Sequence, residues 1–286
     1  GHVHRISNHE EPKNVVFIQC VGSRDESVGR PYCSSVCCMY TAKQAILTRN
    51  HCGPETNIFV FYIDIRATGK GYEEFIKRAQ TEFNVNYVRG RVSKLYEEHG
   101  KVMVRGMDTL LGQQVEIPAD LVVLATGTTS AEGAPQLAQA LNISYDEFGF
   151  FKESHPKLRP VETNTAGVFL AGACQAPKDI PTSVAQASGT ASKVLGLLSK
   201  DKLKTSPQIA VVDQSRCVSC WKCTDVCPFS APEKQSQRDG SQKSHIIETV
   251  CQGCGICVAT CPVNCISLKG FTTDSIIDQI EEALLA

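Results

Sequence analysis

Three things are missing from these 286 residues, and each absence removes a class of protein. No apolar run is long enough to span a bilayer, and the N-terminus has no signal-peptide pattern. Neither sign of charge is in excess. The 29 Lys and Arg against 30 Asp and Glu leave a net charge of −1, which offers no polyanion-binding surface and makes nucleic acid an unfavoured partner. Nowhere does G-x-G-x-x-G occur, the turn that lets a dinucleotide pyrophosphate approach the backbone. What remains is the expectation of a soluble, cytoplasmic chain of two or three domains, with 42% apolar residues to build a core.

What the chain has in abundance is cysteine, fifteen in all. A disulfide scaffold is normally small and secreted, and an odd count does not suit one; clustered thiolates in a reducing compartment more often hold metal. "CVSCWKCTDVCP" (217–228) and "CQGCGICVATCP" (251–262) both read C-x2-C-x2-C-x3-C-P, the bacterial two-cluster ferredoxin spacing. Three thiolates on a tight loop wrap three iron corners of a cubane. The fourth is expected to start a helix pointing away and so to reach the other cluster. One 4Fe-4S cluster is then held by Cys217, Cys220, Cys223 and Cys261, and a second by Cys251, Cys254, Cys257 and Cys227. A pair of zinc knuckles is the alternative, but zinc sites usually pair cysteines two by two across a longer gap. Cys265 is left over, and the polar insertion between the repeats (229–249) is longer than a minimal ferredoxin needs.

Six segments are expected. Residues 1–12 are polar, with His2, His4 and His9 at a spacing that fits no common metal site, so they read as an exposed N-terminal segment. Residues 13–116 alternate strands and helices: "NVVFIQC" and "NIFVFYID" are apolar strands, and "CMYTAKQAILTRN" and "GYEEFIKRAQTEF" are helices. "VNYVRGRVSKLYEE" and "KVMVRGMD" read as antiparallel strands turning at His99-Gly100. Parallel β-α-β-α followed by a meander resembles the pyridine-nucleotide domain of two-dinucleotide-binding flavoproteins. Residues 117–198 hold the buried strand "ADLVVLATG", and then "GVFLAGACQAPKDIPTSVAQASGTASKVLGLL" as strand, glycine turn and long helix. Residues 199–210 are a Lys/Ser-rich linker, 211–270 the ferredoxin domain, and 271–286 a terminal amphipathic helix.

"GVFLAGACQAPKDIPTSVAQASGTA" resembles the C-terminal flavin motif of thioredoxin-reductase-like flavoproteins. The fold class implied is α/β, the C-terminal portion of that two-dinucleotide-binding fold, followed by an α+β two-cluster ferredoxin domain. Gly172 matches the motif, but Ala173 and Cys174 stand where its ribityl-binding acid belongs, and Asp179 is the candidate replacement. Thr182, Val184 and Gln186 open the helix that would face the flavin pyrimidine, where a helix N-terminus stabilises negative charge. Lys178 is the candidate cation near the isoalloxazine. Thr126 and Gly127 match a second, shorter flavin fingerprint. The alternative is an ordinary sheet edge with glycine turns.

Cys20, Cys33, Cys37 and Cys38 lie where a nicotinamide-binding loop would stand. Thiolates at a free helix N-terminus suit an anionic cluster, although adjacent cysteines seldom share one. Buried structural cysteines and a redox dithiol are the other readings. "FIQCVGSRD…YCSSVCCMYTAKQA", "PKDIP" (which adds Ile180 and Pro181 to the flavin contacts) and the double ferredoxin motif occur in this order in the A-type subunit of heterodisulfide reductase (HdrA). The chain resembles the C-terminal half of that family, as a split or truncated form. The resemblance implies a third 4Fe-4S cluster on Cys20, Cys33, Cys37 and Cys38. It also implies FAD, shared with a partner that carries the N-terminal half and its ADP-binding loop. The expected activity is single-electron transfer between FAD and clusters, in flavin-based electron bifurcation. The expected partners are B- and C-like heterodisulfide reductase subunits, a hydrogenase or formate dehydrogenase small subunit, and ferredoxin. The alternatives are an NAD(P)H-dependent flavoprotein oxidoreductase like the glutamate synthase small subunit, and a non-catalytic ferredoxin docking module.

Overall fold

Val15, Val16, Phe17 and Ile18 are all buried, because β1 (Asn14–Val21) lies inside a sheet covered on both faces. Side chains alternate across a strand. Val15 and Phe17 meet α1 (Cys37–Cys52), while Val16 and Ile18 face the other way, toward an antiparallel meander. β2 (Asn57–Tyr62) repeats the division, with Ile58 and Val60 on the helical side and Phe61 on the other. α2 (Tyr72–Thr81) adds Ile76 and Ala79 to the first layer. β3 (Asn86–Arg89) pairs with β2, giving a parallel sheet of order β3-β2-β1 that is completed on the far side of β1 by the strand at 121–126. These elements belong to the first of two units, Gly1–Ser192 and Lys193–Ala286, and the computed structural model describes residues 2–200, 208–237 and 239–285.

The meander is β4 (Val92–Glu98), β5 (Lys101–Asp108) and β6 (Gln113–Ala119), with the turn at His99-Gly100 where the sequence placed it. The segment read as one strand from Val85 to Glu98 is two. β3 stays in the parallel sheet and β4 leaves for the meander, the chain breaking at Gly90-Arg91. Gly90 permits this because a Cβ there would stand 1.8 Å from the Met107 carbonyl oxygen. β6 runs across residue 116, and β7 (Leu121–Thr126) is hydrogen-bonded to β1, so the strand ending in Thr126 completes the sheet that carries Cys20.

α3 (Ala134–Leu141) follows, then a chain of turns held by isolated bridges. The run at 167–172, expected as a strand, makes only the Glu162–Phe169 bridge before a single 3-10 turn, Gly172–Cys174, leads toward α4 (Ile180–Leu198).

In the second unit, β8 (Ala210–Val212) pairs antiparallel with the strand at 266–268. α5 (Lys222–Asp225) belongs to the first cysteine loop. The inter-repeat insertion folds as a hairpin, β9 (Pro232–Ser236) and β10 (Gln242–Ile246). α6 (Ile256–Thr260), β11 (Ile266–Leu268) and α7 (Thr273–Leu285) complete it. Of the expected linker at 199–210, residues 201–207 lie outside the described residues. No helix among the described residues is long and apolar enough to cross a membrane.

Gly90→Ala should destabilise the first unit by about 2–3 kcal/mol through that backbone clash. Gly189→Ala, inside α4 with open space around it, should leave stability unchanged or slightly raised. Denaturant unfolding of the two variants checks the contrast.

Candidate metal centres and adjoining cavities

The parallel strands end at a common edge, the place where open α/β sheets bind their ligands. There β1 leaves register with β7 between Ile18 and Val21, and Cys20 takes φ 58°, a left-handed conformation. For a residue with a Cβ this costs on the order of 1–3 kcal/mol, and such irregularities re-aim a side chain. α1 begins at Cys37, and Val36 before it supplies no side-chain cap. The first-turn N–H groups are left free at the positive end of the helix dipole.

Cys20 and Cys37 meet there. Cys37 hydrogen-bonds both Cys20 and Cys38, so three sulfurs converge from a strand end and a helix start. The hydrogen bond from Cys37 is the main cause that holds Cys20 and Cys38 below the ordinary thiol range, while Cys37 itself is pushed far up. Cys33 is half-buried, four residues before α1, and its sulfur accepts the Ser35 N–H at 3.3 Å. The structure thus gathers three of the four expected ligands and leaves Cys33 beside them in sequence.

The surroundings test whether a cluster fits. Cys38 Sγ accepts the Arg66 N–H at 3.4 Å and lies 3.6 Å from Gln19 Oε1. Arg24, beside Cys20, makes a two-pronged ion pair with Asp64, which also meets Arg66. Gln19 Nε2, Ser23 Oγ, Thr41 Oγ1 and Tyr87 Oη are buried without a hydrogen-bond partner. Gln19 touches Cys38, Ser23 follows Cys20 by three residues, and Thr41 is one turn beyond Cys37. Burial is the main reason Tyr87 is pushed up, with Cys38 adding to it. An unmet buried polar group costs about 1–3 kcal/mol, and a cubane brings the sulfur acceptors these donors lack. Among the described residues no three His, Cys, Asp or Glu side chains converge as they would around a single metal ion; a cubane spreads its ligands over its iron corners.

The two repeats of the second unit fit clusters in a different way. Positive φ recurs at matching positions, at Ser219 and Trp221 on either side of Cys220 and at Gly253 and Gly255 on either side of Cys254. Such alternation turns successive N–H groups inward as an anion-binding nest, a geometry common at iron–sulfur sites. One small cavity is lined by Cys217, Cys220, Cys223 and Cys261, and another by Cys227, Cys251, Cys254 and Cys257. Cys257 is raised to about 11, first by burial and then by Cys251, Cys254, Cys227 and Cys223. Backbone N–H groups of Ala210, Ala231 and Cys265 reach the sulfurs of Cys251, Cys227 and Cys261, each at 3.4 Å. The fourth cysteine of each repeat follows a short helix rather than starting one; α5 and α6 contain the third, and Pro228 or Pro262 comes next. Cys265, the leftover, is buried with its sulfur 3.5 Å from that of Cys261.

The expected flavin residues fall into two groups. Thr126 and Gly127 end β7, and Gly127 packs so closely on the cysteine loop that a Cβ would meet Gly22 O at 2.6 Å. Gly172, Lys178 and Gln186 form the second group: Gln186 Oε1 accepts the Gly172 N–H at 2.8 Å, and Lys178 donates to Gln175 at 3.0 Å. Burial is the main influence on Lys178 and pulls its ammonium down. Asp179 accepts from Thr182 N and from the Tyr72 hydroxyl, each at 2.9 Å, so both carboxylate oxygens are engaged. A cavity of about 630 Å³ has Ser35 and Val36 on one side and Lys178, Asp179, Ile180 and Pro181 on another. A second, of about 580 Å³, runs beside Thr128, Phe150, Ala173 and Cys174. Sequence reasoning missed Tyr40, Lys43 and Lys70 in the first cavity, and Gln19, Asp64 and Tyr87 around Cys38; helical spacing from Cys37 was the one available clue to Tyr40 and Thr41.

Residues 210–268 match the family described as a 4Fe-4S dicluster domain. Together with the two cysteine-lined cavities, this places the chain in the class of iron–sulfur electron-transfer proteins. It is 48% identical over 232 residues to the A-type subunit of the H(2):CoB-CoM heterodisulfide,ferredoxin reductase of Methanothermobacter marburgensis, covering 81% of this chain and 35% of that protein. To the first of two iron-sulfur A-type subunits of the CoB–CoM heterodisulfide reductase of Methanopyrus kandleri it is 44% identical over 292 residues, 100% of this chain and 43% of that protein. The chain belongs to the family of heterodisulfide reductase A-type subunits. It spans well under half the length of these curated relatives. Lactococcus lactis thioredoxin reductase superposes over 64% of this chain and 52% of its own, at 17% identity and a TM-score of 0.42, a likeness that carries no weight by itself.

In iron-free protein, iodoacetamide should modify Cys20 already near neutral pH, because the hydrogen bond from Cys37 stabilises its thiolate. Cys37→Ala should move that labelling profile up toward the ordinary thiol range. Peptide mass spectrometry across a pH series reads it, and an unmoved profile contradicts the assignment.

Proposed function

We propose that this chain is the electron-transfer part of a heterodisulfide-reductase-like oxidoreductase complex, passing single electrons between FAD and three 4Fe-4S clusters. The single observation that carries this reading is the convergence at the sheet edge. Where a dinucleotide loop would stand, Cys20, Cys37 and Cys38 meet among four unpartnered buried donors. Cys33, from the loop that folds over them, is the fourth ligand.

FAD, when bound, supplies the exchange between electron pairs and single electrons. The protein around it has three tasks. Ser35 and Val36, next to the cysteines, wall the same cavity as Lys178–Pro181, so a ring there would be flanked by the cluster site. Lys178 offers a partly desolvated cation toward the ring, and α4 points its N-terminal turn at the same cavity, favouring negative charge. Tyr40, raised to about 12 by burial first and Cys37 second, stays protonated beside it. The 286 residues contain no G-x-G-x-x-G, so the adenine half of FAD is assigned to protein outside them.

In the second unit, Cys217, Cys220, Cys223 and Cys261 hold one cluster and Cys227, Cys251, Cys254 and Cys257 the other, relaying electrons onward. The names of the relatives point to a heterodisulfide and ferredoxin as the two ends of the reaction. We extend that to this chain as bifurcation of an electron pair between a disulfide and ferredoxin, in a cytoplasmic complex with B- and C-like subunits and a hydrogenase or formate dehydrogenase small subunit.

Anaerobically purified complex should carry about twelve irons per copy of this chain. Cys37→Ala should lose about four of them and leave the spectrum of the dicluster unit unchanged. Neither NADH nor NADPH should bleach the flavin, since no nicotinamide loop follows β1. Unchanged iron in Cys37→Ala sinks the third centre, and bleaching by a nicotinamide sinks the electron-transfer assignment.

A further inference from the structure

Gln19 and Tyr87 lie on two strands of one sheet, Gln19 at the end of β1 and Tyr87 in β3, with β2 between them. Neither is accounted for by packing. Gln19 is 6% exposed, and its Nε2 has no partner; the Tyr87 hydroxyl is enclosed and equally unpartnered. The Tyr87 and Tyr62 rings meet in a T-shaped arrangement, centroids 5.7 Å apart, and the Tyr87 hydroxyl is left without a bond. Both residues are tied to one sulfur. The Gln19 amide touches Cys38 Sγ, and Tyr87 is within electrostatic reach of the same thiol.

As the amide stands, its oxygen Oε1 faces Cys38 Sγ at 3.6 Å and its Nε2 is turned away without a partner. A cysteine bound to iron is a thiolate and has no proton to give. A half-turn of the amide exchanges Oε1 and Nε2 without moving the side chain, and presents an N–H to the sulfur at the same 3.6 Å separation. We infer that Gln19 and Tyr87 are positioning residues that set the reduction potential of the four-cysteine centre, by donating hydrogen bonds to its sulfurs. The inference rests on the reading of Cys20, Cys33, Cys37 and Cys38 as cluster ligands.

The direction follows from charge. A cluster with four thiolates is negative, and reduction makes it more so. Donors aimed at sulfur therefore stabilise the reduced state more than the oxidised one and raise the potential. Gln19 sits one residue before a ligand in a buried, partner-poor environment, where such bonds are strongest. Asp64, by contrast, spends its charge on Arg24 and Arg66.

The test is an EPR-monitored redox titration of the natively purified complex carrying Gln19→Leu or Tyr87→Phe, with iron counted in each. Gln19→Leu keeps the volume and removes the donor; Tyr87→Phe removes one oxygen. Each should lower the midpoint of the third centre relative to wild type, by about a tenfold change in its reduced-to-oxidised ratio, or about 59 mV for one electron. The two dicluster centres serve as internal references and should not move. Wild-type protein with only about eight irons overturns the ligand reading and this inference with it. With about twelve irons and an unmoved third midpoint in both variants, the inference alone fails. Should Gln19→Leu lose the third centre's iron, Tyr87→Phe decides.

Discussion

A thiolate cannot be buried without something to meet its charge, and the sheet edge of the first unit is organised around that requirement. Three sulfurs are drawn together by Cys37, whose proton is shared toward Cys20 and Cys38. Positive ends then surround them: the uncapped first turn of α1, the Arg66 amide and the Arg24 guanidinium. The left-handed backbone at Cys20 is tolerated because this arrangement needs its side chain there. With no anionic group to accept from these donors, the fold holds a strained residue and several unmet polar atoms in its core.

The parallel sheet makes this possible by being ordinary elsewhere. Val15 to Ile18 supply both faces with apolar side chains, so the strand ends can carry the irregular and polar residues. The loop from Gly22 to Val36 is pinned against the rest of the unit. The Tyr32 hydroxyl donates to Thr128 O at 3.1 Å, its ring packs on Phe148 and Phe150, and Ser34 Oγ accepts the Thr128 N–H at 2.9 Å. These contacts hold Cys33 and the start of α1 in place relative to β7, and so relative to Cys20.

How much of this could be read from the residues alone depended on range. The dicluster motifs, which the family match at 210–268 bears out, were legible because each loop's three cysteines are three apart and the loop geometry is local. β1, α1, β2 and α2 were legible from periodicity. The division of β3 from β4 was not, since alternation continues straight through Gly90 and only the approach of Met107 from β5 reveals the break. The expected strand at 167–172 was misleading: Leu170 is buried as it would be in a strand, yet only Phe169 finds a bridging partner, Glu162. Around Cys38, the contributions of Gln19, Asp64, Arg66 and Tyr87 come from or just after three different strands. No spacing rule connects them, so only the folded sheet shows that Gln19, Asp64 and Arg66 contact one sulfur and that Tyr87 lies within reach of its charge.

The two cysteine loops of the second unit make the same bends from different material. The loop at 251–257 uses glycine on both sides of its middle cysteine, whereas the loop at 217–223 uses Ser219 and Trp221. Glycine enters the left-handed region freely but gives up more chain entropy in doing so. Ser219 and Trp221 lose less entropy and carry steric strain instead, and the indole of Trp221 lies against the Lys234 ammonium at 4.8 Å. Iron therefore does different jobs in the two halves. In one it freezes a slack loop, and in the other it restrains a sprung one. The two clusters should differ in how readily the empty loop accepts iron back after losing it, even though their ligand spacing is the same.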